Sequence, residues 1–129
     1  NPSPLPETMK CIYEFSISAK YKEGQWKTKK GEGFSFVYKN IDTQNRSARL
    51  VGNAGSADVD VVATTKAITF VELTPAGNYS LTSIFLPYKL QDSDSTFLSV
   101  HSRHINLSAP SYPLDPLPSQ FYGKCVRWE

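Results

Sequence analysis

Apolar and polar side chains alternate at the beginning of the chain. In residues 9–21, MKCIYEFSISAKY, every even position except Ile12 is polar or charged. The odd positions carry the apolar side chains, namely Met9, Cys11, Tyr13, Phe15, Ile17, Ala19 and Tyr21. Successive side chains of a β-strand point to opposite faces, so a period of two indicates a strand with one buried face. The pattern therefore predicts a first strand whose odd residues, Phe15 included, face the core.

Similar alternation recurs along the rest of the chain, with turn-forming residues between the runs. The further runs are residues 33–39, 47–53, 58–65, 67–74, 79–86, 96–105 and 120–128. No segment shows the sustained i, i+3, i+4, i+7 apolar spacing that is typical of a helix. Many short strands at close spacing indicate a sandwich or a barrel, and short links favour antiparallel neighbours.

The two cysteines lie near opposite ends of the chain, at Cys11 and Cys125. This separation excludes a CxxC redox motif and a zinc knuckle. It favours a structural disulfide, and with it an oxidising compartment, over two buried free thiols. A disulfide between the first and last strands would close the sheet and remove its edges. We therefore predict an all-β fold, an eight-stranded antiparallel up-and-down barrel whose first and last strands are joined by a disulfide. A two-sheet sandwich is the alternative.

Proline-rich segments suggest the limits of the folded part. Residues 1–8, NPSPLPET, are expected to form a flexible arm, and residues 9–129 a single barrel domain. Residues 106–118 contain four prolines and are expected to cross one barrel end as a loop. The chain starts without a methionine or an apolar segment, which predicts either a mature form after signal-peptide removal or a trimmed chain. The expected location is secreted, periplasmic or cell envelope.

The formal net charge is only +2, so nucleic-acid binding is not expected. Basic residues nevertheless concentrate in residues 20–30, KYKEGQWKTKK, a predicted hairpin. This hairpin offers a candidate surface for an anionic polymer or membrane. The alternative is a charged turn whose tryptophan plugs the barrel. The residues concerned are Lys20, Lys22, Trp26, Lys27, Lys29 and Lys30.

The run 96–105 places polar side chains where its alternation calls for apolar ones. Ser99, His101 and Arg103 share a strand face with Phe97, whereas His104 falls on the opposite face and cannot chelate a metal with His101. A histidine and an arginine on one face can bind a carboxylate or phosphate. The alternative is a network satisfied within the protein. A buried arginine would need a carboxylate partner, for which Asp58, Asp60 and Glu72 are the candidates.

No catalytic or cofactor motif is present, because GxSxG, GxGxxG followed by a helix, and a P-loop are all missing. We therefore expect a non-enzymatic binding protein, a monomer or weak dimer, with no cofactor and no metal. Its partner would be a small apolar or anionic ligand or another protein. The aromatics expected to point inward could line a ligand pocket or fill the barrel, and filling is favoured because eight strands enclose little more than side chains. They are Tyr13, Phe15, Phe34, Phe36 and Phe85.

Two sequence features resemble known proteins. Gly24-Gln25-Trp26 is similar to the GxW motif of lipocalins, and the strand count fits their calycin architecture. The resemblance implies a lipocalin-like barrel. Within residues 47–125, the segments ARLVGNAGSADV, ITFVELTPAGNYSLTSIF, VHSRH and LPSQFYGKC resemble small exported bacterial proteins of unknown function. That resemblance implies an envelope or secreted location and no particular activity.

Overall fold

The computed structural model describes residues 6–53, 55–74, 77–86, 96–106 and 116–128. Each of its eight strands pairs antiparallel with the next, and β8 pairs with β1 to close a barrel. The strands are β1 (Met9–Lys22), β2 (Gln25–Asp42), β3 (Ser47–Gly52), β4 (Gly55–Ala63), β5 (Ala67–Leu73), β6 (Tyr79–Phe85), β7 (Thr96–Asn106) and β8 (Pro116–Arg127). The predicted up-and-down barrel is confirmed. Among the described residues, no helix is long and apolar enough to cross a membrane.

A disulfide joins Cys11 of β1 to Cys125 of β8. The two residues are directly opposite in the β1–β8 register, with Cα atoms 4.0 Å apart, and both are fully buried. The predicted link between the first and last strands is therefore confirmed. Closing so long a loop stabilises the fold by roughly 4–5 kcal/mol in the chain-entropy model. The bond is consistent with an oxidising, extracytoplasmic compartment.

The barrel has two ends, which we name for the features they carry. The disulfide end holds the start of β1, the end of β8 and the β2–β3 and β4–β5 turns. The mouth holds the β1–β2, β3–β4 and β5–β6 turns. Successive strands run in opposite directions, so the start of one strand lies beside the end of the next at each end of the barrel.

Packed side chains fill the interior at the disulfide end. The rings of Tyr38 and Phe70 stack with centroids 3.9 Å apart and planes 9° from parallel. Other buried residues of the same core surround this pair, among them Met9, Ala48, Val59, Val61, Ile68, Ile84 and Phe97. The expectation of a filled interior is therefore met in this half of the barrel.

The alternation of β1 changes after Tyr13. Its pairing with β8 shifts by one residue between Tyr13 and Phe15, which is the signature of a β-bulge. Beyond the bulge Ser16 is buried, while Phe15 is only partly buried and stacks on Tyr122 with centroids 5.2 Å apart. The prediction that Phe15 faces the core is therefore wrong.

Two glycines explain why the bulge lies at this point. A Cβ on Gly33 of β2 would lie 1.6 Å from the Tyr13 carbonyl oxygen. A Cβ on Gly123 of β8 would lie 2.0 Å from the Ile12 carbonyl oxygen. Only glycine allows both neighbouring strands to approach β1 this closely. The bulge thus depends on residues far away in sequence.

Phe85 is also outside the barrel, at 38% exposure, so its predicted inward position is wrong. Both faces of β6 carry apolar residues, and alternation within the strand cannot decide between them. Pairing with the neighbouring strands decides which face of β6 points into the barrel, because Thr82 lies opposite Phe70 of β5 and His101 of β7. That register places Thr82 and Ile84 in the interior, where both are buried.

Two strands begin at least four residues earlier than their apolar runs predict. β2 starts at Gln25, directly after a two-residue turn in which Glu23 and Gly24 both have positive φ, 54° and 80°. β8 starts at Pro116, within the predicted proline-rich loop.

Prolines are tolerated in β8 because pairing with β1 reaches only as far as Ser119. Pro116 and Pro118 pair with β7 alone and behave as edge residues, where a missing N–H is acceptable. Residues 107–115 of the predicted loop lie outside the described residues.

The predicted N-terminal arm is described only from Pro6 onward, and residues 1–5 lie outside the described part. Pro6 is buried. The carbonyl of Glu7 accepts a hydrogen bond from the Ile41 amide at 3.0 Å, and that of Thr8 from the Trp128 amide at 3.1 Å. Residues 6–8 are thus attached to the disulfide end.

Candidate ligand-binding site

Strand β7 carries the three predicted ligand-binding residues on its inner face. Ser99 and His101 are each 2% exposed, whereas Arg103 is partly buried. Because β7 runs towards the mouth, these side chains lie at successively higher levels, with Ser99 deepest and Arg103 at the opening. His104 is exposed on the outer face, as the strand parity predicts.

His101 lies inside a cage of aromatic rings. Its ring centroid is 5.1–5.8 Å from those of Tyr13, Phe34, Phe36 and Phe121. Burial, with a smaller contribution from the charge of Arg103, lowers the pKa of His101 to about 3. The imidazole is therefore neutral at physiological pH.

Hydrogen bonds determine which nitrogen of His101 carries the proton. Arg103 donates from Nε to His101 Nε2 at 3.2 Å, so Nε2 is unprotonated. The proton is then on Nδ1, which donates to Thr82 Oγ1 at 2.6 Å. The Tyr38 hydroxyl donates to the same Thr82 oxygen, also at 2.6 Å. Both ring nitrogens are thus engaged, and His101 connects Arg103 to the core.

Ser99 belongs to a second buried chain of hydroxyl groups. It donates to the Ser83 carbonyl at 2.9 Å and therefore accepts from the Tyr13 hydroxyl, which is also 2.9 Å away. Burial raises the pKa of Tyr13, and hydrogen bonds with Ser99 and Thr82 only partly oppose it. Burial likewise raises the pKa of Tyr38. Ser99 lies too deep to line the mouth pocket described below, so it supports the site from beneath.

Arg103 packs on aromatic rings, without an ion pair in the described part of the chain. Its guanidinium carbon lies 4.4 Å from the centroid of Phe34 and 4.9 Å from that of Phe121, within cation–π range. Burial lowers the pKa of Arg103, while the charge of Glu72 opposes that effect. Arginine nevertheless stays protonated in proteins. Arg103 is therefore a partly desolvated cation.

Of the three carboxylates considered as partners for Arg103, only Glu72 lies in its surroundings. Asp58 and Asp60 are exposed, and Asp58 pairs instead with Arg49 at 2.7 Å. The suggestion of Asp58 or Asp60 is therefore wrong. Their strand β4 alternates with Val59 and Val61 buried, which turns both aspartates outward.

A pocket of about 500 Å³ opens at the mouth above His101. Its apolar wall consists of Phe34, Phe36, Leu50 and Ile105. Its polar groups include Arg103, Glu72, Ser80, Asn53 and Asn78. The interior is thus filled at the disulfide end and around His101, and it opens into this pocket at the mouth.

The short strand β3 accounts for the opening. It ends at Gly52 and pairs with β2 only between residues 37 and 42 of that strand. In the described structure, residues 25–36 of β2 therefore pair with β1 alone. A gap remains between this part of β2 and the β3–β4 turn, and the pocket lies beside it.

The basic hairpin projects beyond the barrel, since β1 pairs with β8 only up to Ser18. All six of its predicted surface residues are exposed, and Trp26 is 53% exposed. The interpretation that Trp26 plugs the barrel is therefore wrong. Trp26 lies opposite Tyr21 instead, with ring centroids 5.5 Å apart.

The hairpin has two different faces. Lys20 lies directly opposite Lys27, and Lys22 and Lys29 share their face by strand parity. Lys30 is on the other face with Trp26, and its Nζ lies 4.8 Å from the Phe15 ring centroid. The structure therefore brings four of the five predicted lysines together and separates Lys30 from them.

Several site residues escaped the sequence analysis. Tyr38, Thr82 and Phe121 hold or surround His101, yet each reads as an ordinary strand residue. Glu72 was named only as a candidate partner of Arg103, and its strand parity with the buried Ile68 and Phe70 is the signal that it faces inward. Among the described residues, no three histidine, cysteine, aspartate or glutamate side chains are placed to hold a metal ion.

Comparisons with protein-family models, curated proteins and solved structures find no match for this chain. The resemblance to lipocalins and to small exported bacterial proteins stays a prediction.

Proposed function

We propose that this protein is a non-enzymatic binding protein, secreted or of the cell envelope, that takes up a small amphipathic anion in the mouth pocket. One observation carries the proposal. Arg103, a partly buried cation, lines an open pocket of about 500 Å³ with no described carboxylate within ion-pair distance. A partly desolvated charge without a partner favours a ligand of opposite sign.

The surroundings of Arg103 suit such a ligand. Within the described structure its hydrogen bond to His101 uses Nε, which leaves the two terminal nitrogens for a carboxylate or phosphate. His101 and the two phenylalanine rings hold the guanidinium in place. Leu50 and Ile105 offer apolar surface to the remainder of the ligand. Binding then combines one oriented charge with hydrophobic contact.

The state of His101 supports a binding role over a catalytic one. A general base needs a free nitrogen and a pKa near the working pH. Both nitrogens of His101 are hydrogen bonded, and its pKa is lowered to about 3. We infer that His101 positions Arg103.

Isothermal titration calorimetry with octanoate, octanol and octylamine tests the proposal, because the three probes share a tail and differ in charge. We expect octanoate to bind best, Arg103→Gln to weaken octanoate at least tenfold, and Arg103→Lys to weaken it less. Arg46→Gln, at the disulfide end, is the matched control and should bind as wild type does. Equal binding of all three probes, or an unchanged octanoate affinity in Arg103→Gln, would refute the assignment.

The basic hairpin supports a second candidate function, the binding of a linear polyanion. Lys20 and Lys27 are directly opposite, so this pair concentrates positive charge, and the ion pair of Lys27 with Glu23 at 3.7 Å offsets only part of it. Lys22 and Lys29 extend the same face, whereas Tyr21 and Trp26 are on the other. A flat membrane cannot contact both faces at once, so the arrangement favours a polymer over a bilayer.

Heparin is a suitable probe of this second function. We expect the double variant Lys22→Gln/Lys29→Gln to elute from a heparin column at clearly lower salt than wild type, as charge pairing requires. The double variant Lys39→Gln/Lys66→Gln removes equal charge outside the hairpin and is the control. Equal shifts in the two double variants would show that net charge alone is responsible.

A further inference from the structure

Glu72, Ser80 and Arg103 form one row across the mouth. Glu72 of β5 is directly opposite Ser80 of β6, which is directly opposite Arg103 of β7. All three line the pocket. Neighbouring strands are about 4.8 Å apart, so the Cα atoms of Glu72 and Arg103 are roughly 10 Å apart. Two opposite charges thus stand in the same pocket with a hydroxyl group between them.

The two charges interact through space, yet no ion pair within 4 Å joins them in the described structure. The reason lies in how Arg103 packs. Its guanidinium lies over Phe34 of β2 and Phe121 of β8, which are on the side of β7 away from β5. Glu72 is two strands away in the other direction. The aromatic contacts therefore hold the cation apart from the carboxylate.

We propose that the pocket selects a zwitterion, whose anionic group binds Arg103 and whose ammonium group binds Glu72. The inference rests on the proposed function, since it takes Arg103 as the anchor of the anionic group. Ser80, between the charges, can hydrogen bond to either ligand group. Phe34, Leu50 and Ile105 receive an apolar side chain. The ligand class is that of an apolar amino acid.

The same geometry disfavours ligands with a single charge. A ligand with only a carboxylate is attracted by Arg103 but repelled by the Glu72 carboxylate. A ligand with only an ammonium group is attracted by Glu72 but repelled by Arg103. A zwitterion satisfies both side chains. Discrimination then comes from repulsion of the wrong ligand as much as from attraction of the right one.

Calorimetry with octanoate, octylamine and 2-aminooctanoate tests the inference, with Glu72→Gln as the key variant. In wild type we expect 2-aminooctanoate to bind at least tenfold more tightly than either of the other probes. Glu72→Gln should weaken 2-aminooctanoate about tenfold and strengthen octanoate, because the repulsive carboxylate is gone. Asp60→Asn, which removes a carboxylate from the outer face of β4, should change neither affinity. Far-UV circular dichroism establishes that each variant is folded.

Two results separate this inference from the proposed function. If octanoate binds wild type as tightly as 2-aminooctanoate does, or if Glu72→Gln weakens both probes equally, the zwitterion inference is wrong while Arg103 can still anchor an anion. If Arg103→Gln leaves the binding of both probes unchanged, the proposed function fails and the inference fails with it.

Discussion

The two ends of the barrel use the same eight strands for different purposes. At the disulfide end, Tyr38 and Phe70 stack in the interior, and Cys11–Cys125 joins the strands that close the sheet. At the mouth, β3 ends early, an open pocket lies above His101, and Arg103 and Glu72 stand apart. The comparison suggests that one end supplies stability and the other recognition. A rigid support below a site is what holds its side chains in place.

The largest expected effect concerns the filled end. Phe70→Ala should lower the free energy of unfolding by about 3–5 kcal/mol, because it leaves a cavity in a closely packed interior. Phe34→Ala, at the mouth, should cost less than half as much, since Phe34 already borders an open pocket. Urea denaturation measures both losses of unfolding free energy, provided that the m-values of the variants equal that of wild type. Equal losses would mean that the two ends are equally important for stability.

Removal of the disulfide should come next in size. The double variant Cys11→Ala/Cys125→Ala is expected to lose about 2–5 kcal/mol of unfolding free energy. Its affinity for octanoate, measured below the unfolding range, should match that of wild type, because the pocket lies at the other end of the barrel. A loss of affinity in the folded variant would contradict the separation of the two ends.

A smaller effect is expected from pH, through the network that connects the two ends. The pKa of His101 is about 3 in the folded state and about 6.5 when unfolded, so between these values only the unfolded chain binds the proton. The free energy of unfolding should therefore fall as the pH falls from 6.5, by roughly 3 kcal/mol at pH 4. His101→Gln should lack this part of the pH dependence, with His104→Gln as the control for histidine content. Parallel profiles of wild type and His101→Gln would contradict the explanation.

The smallest effect on the free energy of unfolding is expected for an ion pair on the outer surface of β3 and β4. Arg49 and Asp58 form an exposed ion pair at 2.7 Å, and such pairs contribute about 1 kcal/mol or less. Arg49→Gln should therefore change the free energy of unfolding by less than that amount, and 0.5 M NaCl should remove most of the difference. A larger, salt-independent loss would show that the mouth contributes more to stability than its packing suggests.

Much of the fold could be predicted because alternation and cysteine placement are visible in the sequence. Eight runs and two distant cysteines suffice for a closed antiparallel barrel. The positions of Phe15 and Phe85 could not be predicted, because each depends on pairing with other strands. Gly33 and Gly123, far from Phe15 in sequence, permit the bulge that turns it outward.

The candidate site was predictable only in part. Strand parity places His101 and Arg103 on one face, and the structure shows that this face is the inner one. The pocket was not predictable, because it arises from the short length of β3, which leaves residues 25–36 of β2 without pairing to β3 in the described structure. The hydrogen bond from Tyr38 to Thr82 likewise joins β2 and β6, which only the closed barrel brings together.

The position of the disulfide also determines how the barrel would respond to mechanical tension. A pulling force applied to the segments before β1 and after β8 reaches Cys11 and Cys125 first, and the covalent bond between them transmits it. The 113 residues between the two cysteines then lie outside the path of the force. The mouth, at the far end, would keep its shape while the protein is stretched.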